Sequence, residues 1–165
     1  MDAKRIVVIA DTHAQRIDQL PTEMLTALQS ADVVVHCGDF TGITLLEELQ
    51  FICRELVAVH GNTDSREVRE LLPDKAVLEV HGRKIGITHP SWGGAPFGIA
   101  EKLAAQFQNV DAILFGHTHD SCNLTQQGIL FLNPGQGYAS FRVPASLGIL
   151  TISNGEMSAE IVHVN

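Results

Sequence analysis

Residues 6–13 read Ile6-Val7-Val8-Ile9-Ala10-Asp11-Thr12-His13. The first five form a short apolar run rich in β-branched residues, the pattern of a strand buried on both faces. The run stops on a carboxylate, with an imidazole two residues later. The same arrangement recurs along the chain. Residues 33–36 lead through Cys37-Gly38 to Asp39, and 56–60 lead through Gly61 to Asn62-Thr63-Asp64. Residues 84–88 run into His89, and 112–115 lead through Gly116 to His117-Thr118-His119.

Between these runs lie helix-like stretches. Residues 22–29 follow Pro21, a good first-turn residue. Residues 44–54 set Leu45, Leu46, Leu49, Ile52 and Cys53 on one face. Asp64-Ser65-Arg66-Glu67 has the form of a capping box opening a helix to Leu72. Residues 97–107 are a further candidate. After residue 128 only strands are expected, at 129–132, 147–152 and 157–162. Asn154-Gly155 supplies a hairpin turn between the last two. Strands alternating with helices imply parallel pairing, and the closing run of strands implies a mixed sheet or a second sheet. No linker divides residues 1–165, so one domain is expected.

Composition narrows the partners. The chain of 165 residues carries 11 Lys+Arg against 19 Asp+Glu, a formal net charge of −8. Such a balance disfavours binding along DNA or RNA by charge alone, and polybasic docking on an anionic membrane. No stretch approaches the roughly 18 apolar residues of a membrane span. Residues 6–10 are too short for a signal-peptide core, so a cytoplasmic protein is expected. Cys37, Cys53 and Cys122 are widely spaced and read as free thiols. Eight His stand against one Trp and one Tyr. That excess matters because imidazole is the commonest metal ligand among side chains.

In an α/β sheet, ligands collect outside the carboxyl ends of the strands. The five runs deliver Asp11, Asp39, Asn62, His13, His89, His117 and His119 to one such edge. Two carboxylates, an amide oxygen and four imidazoles form an N/O set for divalent transition metals, with no thiolate. Seven ligands exceed the needs of one ion. They suit two ions sharing a carboxylate, roughly 3.5–4 Å apart. Gly38, Gly61 and Gly116 stand just before ligands, where the chain must turn and pass close to the ions. His36 and His60 read as core or supporting residues at strand ends. His81 belongs to a turn with Gly82, and His163 lies near a frayed C-terminus.

Asp11-x-His13, Gly38-Asp39, Gly61-Asn62-x-Asp64, His89 and Gly116-His117-x-His119 resemble, in order and spacing, the motif series of the calcineurin-like metallophosphoesterases. The similarity is greatest to their small bacterial and archaeal phosphodiesterases and extends to Asn133-Pro134-Gly135. It implies a four-layer α-β-β-α sandwich of two mixed sheets flanked by helices. It implies that Asp11, His13, Asp39 and His119 hold one ion. Asp39, Asn62, His89 and His117 would hold the other, with Asp39 bridging. Manganese is the first choice, with Ni, Fe, Co or Zn compatible with the ligand set. It further implies attack on a small phosphodiester by a metal-bridging hydroxide, with Asn62 helping to hold a phosphate oxygen. A homodimer is consistent with the resemblance.

The chain departs from that pattern at two places. Many members carry His where this chain has Thr63, and that His is thought to protonate the leaving group. Thr63 cannot, and Asp64 is left as a capping residue. Pro90 follows His89 where Gly is common, opening the Gly/Pro-rich loop 91–96, whose Trp92 either anchors the loop or stacks on a base or aryl group of a substrate. Thr63 and Trp92 join Asn62 as substrate-binding candidates. The alternatives are a phosphomonoesterase and a protein-binding scaffold of the same fold with an eroded metal site.

Overall fold

The computed structural model describes residues 2–92 and 98–165. The chain runs β1 (Lys4–Ile9), α1 (Thr22–Ser30), β2 (Val33–His36), α2 (Ile43–Ile52), β3 (Leu56–Ala58) and α3 (Arg66–Leu71). It continues through β4 (Lys75–Val80), β5 (Arg83–Thr88), α4 (Ile99–Ala104), β6 (Ala112–Phe115), β7 (Cys122–Gln126), β8 (Ile129–Asn133), β9 (Ala145–Ser153) and β10 (Glu156–Val164). One sheet has the order β10-β9-β1-β2-β3 and the other β4-β5-β6-β8-β7. Each is mixed: β1, β2 and β3 pair in parallel, as do β5, β6 and β8, and the remaining pairings are antiparallel.

The run that opened the sequence shows how the layers form. A strand sends alternate side chains to opposite faces. Ile6, Val8 and Ala10 meet Ile85, Ile87, Ala112, Leu114 and Leu132 in the core between the sheets. Val7 and Ile9 point the other way, packing with Met24 and Leu28 of α1 and Leu45, Leu46 and Leu49 of α2. On the far side, Ile113, Phe115 and Phe131 pack against Ala100 and Leu103 of α4. Helix, sheet, sheet and helix thus make the four layers, as expected.

Two strands, β4 and β7, were not anticipated. They lie at the two edges of the second sheet. In β4, Lys75, Val77 and Glu79 are exposed, while Ala76, Leu78 and Val80 pack against the core. Two-residue turns join β4 to β5 through His81-Gly82 and β7 to β8 through Gln127-Gly128, with both residues of each at positive φ. Asn154-Gly155 makes the expected turn of the same kind. His163 is not frayed, because β10 pairs with β9 as far as Val164. The 97–107 helix is shorter than expected; its first residue, Phe97, lies outside the described residues. So do Gly93, Gly94, Ala95 and Pro96 of the expected loop. Cys37, Cys53 and Cys122 are free thiols. Among the described residues, no helix is long and apolar enough to cross a membrane.

Candidate metal centre

The parallel strands of both sheets end at one rim of the sandwich. There Asp11 follows β1, Asp39 follows β2, Asn62 follows β3, His89 follows β5, and His117 and His119 follow β6. All seven expected ligands converge. Asp39 Oδ2 lies 3.8 Å from His13 Nε2 and 3.4 Å from His89 Nε2. Asp11 Oδ1 lies 3.5 Å from His119 Nε2. Asn62 Oδ1 stands 2.9 Å from His89 Nε2 and 3.0 Å from His117 Nδ1. Two triads, Asp11/His13/His119 and Asp11/Asp39/His89, each bring their ligand atoms within 4.8 Å of one another.

These residues fit divalent cations on an observation of their own. Asp11 Oδ1 and His13 Nε2 are buried and have no hydrogen-bond partner. Leaving a buried polar atom unsatisfied costs about 1–3 kcal/mol. A cation between Asp11 and His13 gives both atoms a partner. Backbone strain points to the same place. Of the ten non-glycine residues with positive φ among the described residues, five are Asp11, His13, Asp39, His117 and His119. Such conformations cost of order 1–3 kcal/mol each and collect at functional sites.

Outer contacts aim the ligands. His89 Nδ1 donates to the Cys37 carbonyl at 2.8 Å, turning Nε2 toward Asp39. His119 Nδ1 donates to Gln136 Oε1 at 3.4 Å. The Gln136 amide cannot flip without loss, because its Nε2 donates to the Tyr138 carbonyl and Ser140 Oγ. Asp11 Oδ2 accepts from the His117 amide at 2.9 Å, and Asp39 Oδ1 accepts from the Thr63 amide at 2.9 Å. Gly61 is obligatory: a Cβ there would stand 2.0 Å from Asp39 Oδ1.

Electrostatics separates the two carboxylates. Burial pushes the Asp11 carboxyl up to about 6. Burial acts the same way on Asp39, yet His89 and Thr63 outweigh it and hold that carboxyl well below the usual range. His13 and His117 are shifted down, first by burial, which keeps their imidazoles neutral and able to coordinate. His89 is shifted up, because the carboxylates of Asp39 and Asp11 overcome the effect of its burial.

Several expectations change. Asp64 does not cap α3; Ser65 does, accepting from the Val68 amide. The Asp64 carboxylate is buried and committed elsewhere: it accepts from the amides of Asp39, Gly61 and Thr41. His36 is a supporting residue, as expected. It is fully buried, accepts from the Gly38 amide at Nδ1 and pairs through Nε2 with Thr12 Oγ1. Burial lowers its pKa to about 3. His60 lies beyond β3, half-buried, on the wall of a cavity of about 710 Å³. Asn62, His89 and Trp92 line the same cavity. Thr63 presents its side chain to solvent beside Asn62.

Gln136 and Tyr138 were missed. The Tyr138 ring meets those of His13 and His119 edge-on, at centroid distances of 5.8 and 6.2 Å. The only nearby signal was Asn133-Pro134-Gly135, which marks the turn that delivers them.

A family model for the calcineurin-like phosphoesterase superfamily domain matches residues 5–155. The chain is 34% identical over 139 residues to a probable metallophosphoesterase of Methanocaldococcus jannaschii, covering 79% of this chain and 66% of that protein. It is 25% identical over 168 residues to a phosphodiesterase of the same archaeon, covering 92% of this chain and 95% of the relative. Among solved structures, a Thermotoga maritima protein matches with a TM-score of 0.74 at 34% identity, over 98% of this chain and 99% of that one. Vacuolar protein sorting 29 of Cryptosporidium parvum shares the fold, with a TM-score of 0.73 at 21% identity over 97% of each chain.

Proposed function

The chain belongs to the calcineurin-like phosphoesterase superfamily, and from that premise we propose that it hydrolyses a small phosphodiester at a centre of two divalent cations. One observation carries the dinuclear reading. A single oxygen, Asp39 Oδ2, faces His13 on one side and His89 on the other. His13 and His119 gather on the first side and Asn62, His89 and His117 on the second, while Asp11 comes within reach of His119 and of the Asp39–His89 pair. Asp39 would therefore be a shared ligand, and manganese is the first candidate metal. Cations held by these residues would supply Lewis acidity, polarising the phosphate and bringing a water's pKa toward neutrality.

The protein's own groups do the rest. Asn62 Oδ1 faces the two imidazoles, so its Nδ2 is free to donate to a phosphate oxygen. The Trp92 ring lines the cavity that Asn62 also lines, and Thr63 is exposed next to Asn62. Hydrolysis replaces one ester P–O bond with the oxygen of water, and the alcohol departs with a proton.

The diester preference is supported by the phosphodiesterase relative, similar over almost its whole length. A scaffold with an eroded site should lack ligands, and here all seven side chains converge. The test is Asp39→Ala. Metal content is expected to fall from about two ions per chain, and hydrolysis of bis(4-nitrophenyl) phosphate to be lost, with a native circular dichroism spectrum. Undiminished hydrolysis by that variant overturns the assignment.

A further inference from the structure

The cavity of about 710 Å³ opens off one flank of the centre. Asn62 and His89 form its inner end, whereas Asp11, His13, Asp39 and His119 take no part in its wall. A phosphoester held at the centre therefore extends into it from the Asn62 side. Its size is in the range of pockets for small organic ligands and far exceeds what a methyl ester needs.

The wall has a definite chemistry. Pro90, Ala105 and the exposed Trp92 give it an apolar face. Lys102 Nζ lies 5.4 Å from the centre of the Trp92 ring. Arg69, which also lines the cavity, donates from Nε to the Asp64 carbonyl at 3.0 Å and from Nη2 to the Asn62 carbonyl. Those contacts tie Arg69 to the loop that carries Asn62, but carbonyls do not neutralise its charge. Among the described residues, neither Lys102 nor Arg69 is paired with a carboxylate. Asp74 is the single carboxylate on the wall. A chain with a net charge of −8 thus keeps two unpaired cations on the wall of one cavity, one of them over its aromatic ring, beside its reaction centre.

We propose that this cavity binds the part of the substrate beyond the reacting phosphate, and that this part is an aromatic group carrying negative charge of its own, as in a nucleotide. The inference rests on the phosphodiesterase reading above and specifies its substrate class. The ring packs against Trp92 and the apolar wall. The added phosphate lies between Lys102 and Arg69, where charge-assisted hydrogen bonds are strongest. A neutral alkyl substituent would leave both cations unused. A quaternary ammonium headgroup would be repelled by them, and Lys102 already covers one face of the ring.

The test uses the metal-loaded protein and two diesters with the same leaving group, thymidine 3′-phosphate 5′-(4-nitrophenyl phosphate) and methyl 4-nitrophenyl phosphate. The nucleotidyl ester is expected to have a kcat/KM roughly tenfold higher or more, chiefly through KM. Lys102→Met is expected to reduce the ratio of the two kcat/KM values roughly fivefold. Trp92 is the one tryptophan of the chain, so its fluorescence reports on the cavity directly. Thymidine 3′,5′-bisphosphate should quench it saturably, where inorganic phosphate does not. Saturable quenching without hydrolysis of either ester supports the subsite while refuting the phosphodiesterase reading. Equal kcat/KM for the two esters refutes the subsite while leaving that reading intact. A ratio unchanged in Lys102→Met also overturns it.

Discussion

Asp64 supports Asp39 from behind: its Oδ2 accepts the Asp39 main-chain N–H at 2.9 Å. Two buried carboxylates are thereby set close in the fold without being set against each other. The same oxygen accepts from Gly61 at 2.7 Å, and Oδ1 accepts from Thr41 at 3.0 Å. Three amides of the two loops that carry Asp39 and Asn62 thus converge on one side chain. Asp64→Ala strands those donors. A loss on the order of 3 kcal/mol or more is expected, because unsatisfied buried donors cost about 1–3 kcal/mol each. Urea unfolding of the metal-free protein measures it. A loss below about 1 kcal/mol would show that Asp64 does not organise these loops.

The buried Asp11 carboxyl predicts how metal binding depends on pH. Its pKa is raised to about 6, so below that pH the metal-free protein holds a proton that a cation must displace. Apparent affinity for Mn²⁺ should fall as pH drops through 6, approaching about tenfold per unit once Asp11 is protonated. Protonation of His89, whose pKa is raised, acts in the same direction. Above the pKa of both groups this dependence should vanish. Calorimetric titrations between pH 5 and pH 8 provide the check, and equal affinity at both ends of the range contradicts it.

What was legible in the sequence, and what was not, follows from burial. The bounds of β2 and β6 agree with their apolar runs because both strands are buried throughout. Edge strand β4 carries exposed residues on one face and β7 carries them on both, so their apolar signal is diluted. All seven converging side chains were legible because each follows a buried run and therefore has to emerge at the same rim. The residues that steady them were not. Gln136 reaches His119 from the turn after β8, and Asp64 reaches Asp39 across a loop; neither approach has a periodicity. Asp64 was misread as a helix cap for a local reason. Asp beside Ser before a helix satisfies the capping pattern twice, and the adjacent Ser65 takes that role.

Gln136 is predicted to set the affinity of the centre without touching a cation. It is buried, and its Oε1 receives the Nδ1 proton of His119, leaving Nε2 directed at Asp11. Partners of this type change metal affinity by about 10–100-fold. Gln136→Met keeps the volume and removes the acceptor, so Mn²⁺ binding should weaken by roughly that factor. The ¹⁵N spectrum of His119 in the metal-free protein should also lose its preference for the Nδ1–H tautomer. Gln136→Glu keeps the acceptor and should preserve the tautomer. A tautomer indifferent to Gln136→Met would sink the idea.

Thr63 is expected to set which esters are cleaved well. Its amide is spent on Asp39 Oδ1, and its hydroxyl is far too weak an acid to protonate a departing alkoxide. With no general acid at this position, the leaving group has to carry its own negative charge or take a proton from solvent. A general acid typically contributes about 10²–10⁴-fold. That assistance grows with the basicity of the leaving group, so its absence should be felt most with alkyl esters. A steep fall of kcat/KM with rising leaving-group pKa is therefore expected across a series of substituted phenyl and alkyl diesters. Thr63→His should flatten the slope by accelerating the alkyl esters selectively, since an imidazole there can supply the missing proton. The Thr63 main-chain N–H that Asp39 Oδ1 accepts survives any substitution but proline, whereas the hydroxyl's own contact with Asp39 is lost, so metal content is measured beside the slope. A slope near zero in the unsubstituted chain would mean that another group already protonates the leaving oxygen.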